Sequence, residues 1–519
     1  MYNMKYIGAL HIGTTTVRFH ILDQQGNTIA SSAKKLQFLY PKPGYVEIDP
    51  DKLWDIVLKL MWDTFRQHGF CPKHIAGLGI STQRCSFTTW NATTGKHFHN
   101  FITWKDIRAN NLVEEWNSSF QTRGWRIGSR LMYTFFRGDR HLLMSGFKFM
   151  NSQITLRLLW ALQNVRELRD EVKEENALFG CIDSWLLFKF TGRNVTDVSN
   201  AAATGLFDPF LMDWSTLMMS ILKIPRDMYP IVVDTSGDHF GVTHKSIFGV
   251  KIPICCSMTD QSASLFGSGC LNTGDLNITL GTDTILNVNS GSKVHASVSG
   301  MYPGIGWRIG GELVYMKEGA WKDTGSIVEW AKRLGLIDQP AETEDMADSV
   351  DDSRGMFFIP AFSGLPTPIN DDRAAAGFIG IEPDTNKAHM IRAMLESIVY
   401  GIVMIFDVLN RETDHILNKI RVDGGMSAND FMLQLLADAT GLRVERATTT
   451  QKMSILGVAF VAGLQCGVWN SKEDIYKLRK VEDTFLPNVR NRRRVRSSYV
   501  HWRRALDRFG RWYSDVTRE

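Results

Sequence analysis

Tyr6-Ile7-Gly8-Ala9-Leu10-His11-Ile12-Gly13-Thr14-Thr15-Thr16-Val17-Arg18-Phe19-His20-Ile21-Leu22 is the stretch on which the fold turns. Tyr6–Leu10 is a short apolar run. Past the turn, Val17, Phe19 and Ile21 alternate with Arg18 and His20. Two such runs on either side of Gly13-Thr14-Thr15-Thr16 predict strand, tight turn, strand. The pattern returns far downstream. Asp275-Leu276-Asn277-Ile278-Thr279-Leu280 leads into Gly281-Thr282-Asp283-Thr284 and then Ile285-Leu286-Asn287-Val288. One Gly-Thr hairpin is an ordinary turn; two, one in each half, predict a duplicated nucleotide-binding architecture.

The turns carry chemistry as well as shape. Gly lets backbone come close to a ligand, and Thr hydroxyls with N–H groups aim donors at one point, which suits phosphate oxygens. Gly13, Thr14, Thr15, Thr16 and Arg18 form one such cluster, and Gly281 with Thr282 the other. A third lies in Val422-Asp423-Gly424-Gly425-Met426-Ser427-Ala428-Asn429, between an expected strand and a helix beginning near Asp430. Its paired glycines would admit a base or ribose, and the helix N-terminus favours anions. GxxxxGK[ST] is absent, so this is not a Walker A loop. Ser257-Met258-Thr259-Asp260-Gln261-Ser262 follows the apolar run Ile252-Pro253-Ile254. A carboxylate at that strand end could orient a hydroxyl and take its proton during phosphoryl transfer; the plainer reading of Asp260 is a helix cap.

Helices are expected at Asp51–Gln67, with Asp49 and Asp51 as capping candidates, and at Ala388–Asn410, Asp430–Thr440 and Ile455–Val468. Strands are expected at Ile75–Ile80, Phe357–Ile359 and Ile420–Val422, and the alternation is that of an α/β protein. The arginines of Arg490–Arg496 read as the solvated face of a terminal helix whose other face carries Trp502, Leu506, Phe509 and Trp512.

With 519 residues the chain exceeds a single ordinary core. Hydrophobic residues at 44% and charged residues at 22% exclude a mainly disordered chain, and a net charge of +4 implies no general nucleic-acid partner. Seven scattered cysteines without a CxxC pair argue against a disulfide framework or zinc site, so a reducing, cytoplasmic setting is expected. Met1–Gly8 does not read as a secretory leader, and no uninterrupted apolar run reaches the roughly 18–20 residues of a membrane span.

Over nearly its whole length the sequence resembles the FGGY carbohydrate kinases, and among them glycerol kinase. Gly79-Ile80-Ser81-Thr82-Gln83-Arg84, Ile182-Asp183-Ser184-Trp185-Leu186-Leu187, Asp208–Trp214, Asp260-Gln261, Met301–Trp307, Pro360–Leu365 and Val422–Gly425 carry the likeness. Pro43–Pro50, His97–Phe101 and Pro368–Asp371 are similar to a divergent animal branch. The resemblance implies two ribonuclease-H-like (actin-like ATPase) domains flanking a nucleotide cleft, with residues 1–258 as the N-terminal domain and 259–519 as the C-terminal one. It implies ATP and Mg2+ as cofactors, a small polyol as substrate and Asp260 as catalytic base. It places Thr14, Thr15, Thr16, Arg18, Thr282, Gly325, Gly425 and Asn429 at the nucleotide, and Arg84, Trp104, Asp260 and Gln261 at the polyol. No nucleic-acid partner or membrane segment is implied, and a homo-oligomer is left open.

The departures from the family pattern are specific. His11 stands where the family has an Asp that helps place the metal–phosphate complex, which leaves His11 and Asp260 as the metal candidates. Imidazole is a poor magnesium ligand, although a neutral ring can still bond a phosphate. Cys85 stands for a Glu, Ser152 for a Tyr and Ile285 for an aromatic beside the substrate, and Lys452 for an acidic residue. Cys85 reads either as a reactive thiol or as a small buried group. Loss of hydroxyl-binding partners weakens affinity and discrimination. Two functions follow: an active polyol kinase making glycerol 3-phosphate or an analogue, and a weakened kinase acting as a nucleotide- or polyol-binding regulatory protein. Another FGGY sugar kinase fits less well, because the likeness to glycerol kinase extends outside the shared motifs, and an actin-fold chaperone ATPase least, because Arg84 and Trp104 point to a small polar substrate.

Overall fold

A computed structural model describes residues 5–297, 299–412, 415–449 and 452–513, so part of the Met1–Gly8 segment lies outside it. The first hairpin pairs Tyr6–Ile12 with Thr16–Leu22. On one side Thr28–Lys35 adds antiparallel; on the other Ile75–Thr82 and then Ile254–Thr259 add parallel. The second hairpin pairs Leu276–Leu280 with Thr284–Gly291 and repeats the arrangement. Glu312–Trp321 adds antiparallel, while Lys419–Asp423 and then Arg443–Ala447 add parallel. Tyr302–Ile309 and Val481–Phe485 extend that sheet to seven strands. The duplication read from two turns therefore extends through five strands of each sheet. The parallel strands are buried on both faces, as crossover helices require.

The helices follow their apolar spacing. Asp49 caps Pro50–Gln67 by accepting from the Lys52 N–H at 3.0 Å. Lys387–Glu412 is long and apolar enough to cross a bilayer, but 89% of its apolar window is buried in the second lobe. It also carries the ion pair Arg392–Glu396 at 3.0 Å. Met453–Gln465 stops short of the expected Val468 because Cys466 caps it and Gly467 turns left-handed at φ +66°. The terminal helix Val489–Phe509 buries Trp502 and Leu506, and Arg496 on it pairs with Asp407. Trp512 does not join that face: the helix ends before Gly510, and Trp512 is 65% exposed.

Two apolar cores lie mainly in the first lobe, one of them taking in Ile305 and Tyr315 of the second sheet; a third fills the second lobe, and a fourth joins the two. The joining core unites Ile7, Ala9 and Met258 of the first sheet with Ala263 and Phe266 of helix Asp260–Gly267 and Val458 and Val461 of helix Met453–Gln465. The two helices cross at backbone distance. A Cβ on Gly457 would stand 1.8 Å from the Ala263 carbonyl oxygen, and one on Gly267 would stand 2.1 Å from that of Met453. Only glycine fits there, and Ser454 fixes the crossing by donating to the Asp260 carbonyl at 2.9 Å.

Gly457→Ala is expected to cost about 3 kcal/mol or more, because the neighbour that must yield is backbone. Gly425→Ala, whose Cβ meets nothing within 4 Å, stays within about 0.5 kcal/mol. Urea denaturation midpoints of the two variants check this contrast.

Candidate functional site

The first turn is tied down beneath its exposed Thr15. Gly13 N–H donates to the Thr16 carbonyl at 3.0 Å, and Gln83 donates from its backbone to Ile12 at 2.7 Å and from its side chain to Gly13 at 3.2 Å. Thr14, Thr16 and Arg18 are half-buried beside it. At the second turn Gly281 N–H donates to Asp283 at 3.0 Å, and Gly325, opening helix Gly325–Arg333, donates to Thr282 at 3.0 Å. A Cβ on Gly325 would meet the Gly281 carbonyl oxygen at 2.9 Å. Gly424 has φ +92°, and its Cβ would fall 2.4 Å from the Leu280 carbonyl oxygen. Gly281, Thr282, Gly325, Gly424 and the exposed Gly425 are thus gathered at one end of the second sheet. Asn429 is engaged in the fold: it caps helix Asp430–Thr440, accepting from Met432 N–H at 2.8 Å, and donates to Thr343 at 3.2 Å.

His11 faces the first turn from below. Its Nδ1 is 3.3 Å from Ser81 Oγ, and its Nε2 lies 2.8 Å from where a Cβ on Gly13 would stand. Burial, with Arg18 and His20 adding like charge, holds its pKa down to about 3, so the ring is neutral. His20 is held at about 4 by burial, Lys452 and Arg18. A hard divalent ion prefers oxygen ligands. A neutral ring amid cationic groups does not supply them, and no three His, Cys, Asp or Glu among the described residues are grouped to hold a metal. His11 therefore offers such an ion no oxygen ligand.

Asp260 is the first residue of helix Asp260–Gly267, and the cap is Thr259, which accepts from Ser262 N–H at 3.2 Å. That leaves the Asp260 carboxylate pointed elsewhere. One oxygen accepts from Gln261 N–H at 2.8 Å, and Arg84 Nε stands 3.7 Å away. Arg84 turns its other nitrogens on Glu318, at 2.7 and 2.9 Å. Burial raises the Asp260 pKa to about 6, with Arg84 opposing and Glu318 assisting. A carboxyl titrating there is a better proton acceptor near neutrality than an ordinary Asp. Gln261 accepts from Asn287 at 2.8 Å; Asn287 is the cross-strand partner of Glu318, and half-buried Ile285 lies on its face of the strand.

One buried side chain braces the surrounding wall. Arg157 is fully buried and donates to the carbonyls of Cys85 at 2.8 Å, Ser152 at 3.0 Å, Gln153 and Ile102 at 3.1 Å, and to Thr103. Cys85, Ser152 and the segment ending at Trp104, distant in sequence, are thereby held in one wall. Cys85 adopts φ +59°, donates to the Ala203 carbonyl at 3.0 Å, and burial pushes its thiol pKa up. Burial thus disfavours its thiolate, although Arg157 and Arg84 oppose that shift. The Ser152 side chain is exposed; Trp104 is half-buried, with Lys105 5.3 Å from its ring centre. Burial raises the pKa of Asp283 in the second turn, and the charge of Lys105 partly opposes it.

Sequence reading missed Glu318, Asn287, Arg157 and Lys105. Glu318 pairs with a residue 234 positions away, which no local pattern reveals. Arg157 sits in the helix Thr155–Asn164 among Leu156, Leu158 and Leu159, and a lone Arg in so apolar a run was the available signal.

Comparison with known proteins agrees over the whole chain. Residues 6–267 match the N-terminal domain of the FGGY family of carbohydrate kinases, and residues 276–466 its C-terminal domain. Glycerol kinase 5 of Danio rerio is 44% identical over 98% of this chain and 97% of its own length. Glycerol kinase 2 of Thermotoga maritima is 36% identical over 98% and 99%. The crystal structure of Plasmodium falciparum glycerol kinase with ADP superposes with a TM-score of 0.87 at 27% identity, covering 98% of both chains. A gluconate kinase from Lactobacillus acidophilus, at TM-score 0.83 and 22% identity over 99% and 100%, shares the fold.

Glu318→Gln removes the charge that assists protonation of Asp260 and frees Arg84 to act on it. The Asp260 pKa is expected to fall from about 6 towards the ordinary Asp value. Carboxyl NMR of protein labelled at aspartate reads the shift.

Proposed function

The chain belongs to the FGGY family of carbohydrate kinases, and from that premise we propose that it transfers the γ-phosphoryl group of ATP to a terminal hydroxyl of glycerol or a related polyol. One observation carries the reading: Asp260 stands beside Arg84 and Glu318 where the lobes join, with its pKa raised to about 6 by burial. That is the environment of a general base.

In this reading the phosphates lie between Gly13–Thr16 with Arg18 on one lobe and Gly281–Thr282 on the other. Gly325, Gly424 and Gly425 leave room for the nucleoside, with Asn429 at its edge. Magnesium would arrive with the ATP phosphates, with Asp260 rather than the neutral His11 ring as the nearby oxygen donor. Arg84, Gln261 and Trp104 orient the polyol within the wall that carries Cys85, Ser152 and Ile285. Asp260 accepts the hydroxyl proton as the oxygen attacks the γ-phosphorus in line and ADP leaves. Arg84, shared between Glu318 and Asp260, keeps the carboxylate aimed without quenching its basicity. The packed Cys85 offers no acceptor like the carboxylate found in glycerol kinases, which supports slower turnover or a polyol other than glycerol. No observation here favours a regulatory binding role over catalysis. The domain division at 258/259 remains part of the proposal, supported by the first sheet ending at Thr259. So does a cytoplasmic location, supported by seven cysteines all free.

With Mg-ATP and a panel of polyols, turnover is expected to be measurable and to fall by about 100–10,000-fold in Asp260→Asn. The wild-type kcat/KM should decline as pH drops through about 6, because protonation removes the base. Equal background in both proteins, or a flat acid limb, overturns the assignment. His11→Asp restores a carboxylate beneath the first turn and is expected to raise turnover, by up to about 100-fold; an unchanged rate means the imidazole is itself a working phosphate donor.

A further inference from the structure

Outside the cleft, the helix Phe120–Phe136 presents an apolar face that nothing among the described residues covers. Phe120 is 93% exposed, Phe135 78%, Phe136 67%, Ile127 62% and Leu131 57%. Phe120, Ile127, Leu131 and Phe135 recur at spacings that place them on one side of a helix, so they form a continuous outward stripe. The opposite side anchors the helix: Thr122 is buried, Trp125 packs on the first lobe, and Arg126 donates to the Phe147 carbonyl at 2.9 Å. Ser119 caps it by accepting from Thr122 N–H at 3.2 Å. The stripe is therefore the outer face of a fixed helix. Scattered exposed apolar residues need no explanation, but a contiguous row of this kind marks a contact surface.

The charges say what covers it. From Phe120 to Gly138 there is no acidic residue, while Arg123, Arg126, Arg130 and Arg137 all fall in that span. Exposed Arg123 and Arg130 lie along one edge of the stripe. A second copy laid on this face would oppose arginines to arginines, with no carboxylate on either helix to answer them. An anionic bilayer supplies both complements: acyl chains for the Phe, Ile and Leu side chains, and lipid phosphates for the guanidinium edge.

We propose that Phe120–Phe136 is a membrane-surface docking helix that seats the first lobe on anionic lipid, lying in the interface without spanning it. The inference rests on this face alone and is independent of the catalytic reading. Full-length protein would be sedimented with large unilamellar vesicles of phosphatidylcholine, with and without phosphatidylserine. Binding is expected to the phosphatidylserine vesicles and to weaken in high salt. Arg123→Gln with Arg130→Gln should weaken it by roughly 30-fold, at about fivefold per arginine. Leu131→Ser with Phe135→Ser should weaken it by about 100-fold or more. Unchanged circular dichroism and unchanged binding of an ATP analogue establish that the variants are folded. No binding to phosphatidylserine vesicles, equal binding by the variants, or a vesicle-independent dimer abolished by Leu131→Ser with Phe135→Ser would each overturn the proposal.

Discussion

The close approach of Gly457 to the Ala263 carbonyl determines where the carboxylate of Asp260 can stand. Helix Asp260–Gly267 leaves the end of the first sheet and crosses helix Met453–Gln465 with no side chain between the two backbones. Ser454 then holds the Asp260 carbonyl from that second helix. The position of Asp260 is thus tied to a contact with a segment 194 residues further along the chain. Each lobe folds around its own sheet, and they are joined by this crossing, by Arg84 reaching Glu318, and by Tyr315 and Arg308 donating to Pro209 and Thr235.

That cross-lobe pairing has an energetic logic. A partly buried Asp beside an Arg alone would be held strongly ionised and weakly basic. Giving the Arg a second, closer carboxylate satisfies the guanidinium and leaves Asp260 at the longer distance of 3.7 Å. The site can then hold a positive group for orienting hydroxyls and a usable proton acceptor a few ångströms apart. The first turn uses the opposite device: His11 stays uncharged beside Arg18, which leaves Arg18 as the charged group there.

What could be read beforehand was what is local. The two Gly-Thr turns, the Asp49 cap and the paired glycines at 424 and 425 are each decided within a few residues, and all stand where the sequence put them. Each turn fixes only its own antiparallel pair; the other three strands of each repeat, two of them parallel, are added by tertiary pairing. Glu318, Asn287 and Lys105 were not legible, since each gains its meaning from a partner supplied by tertiary folding. Trp512 failed for a related reason: helical spacing continues on paper past Gly510, where the chain itself departs from the helix.

Arg157 has a consequence for how such a pocket can diverge. It grips carbonyls rather than side chains, so the residues at positions 85 and 152 can be exchanged without disturbing what holds their backbone in place. The wall behaves as a chassis with interchangeable fittings. A lineage can exchange the side chains at 85 and 152 while the carboxylate of Asp260 keeps its post.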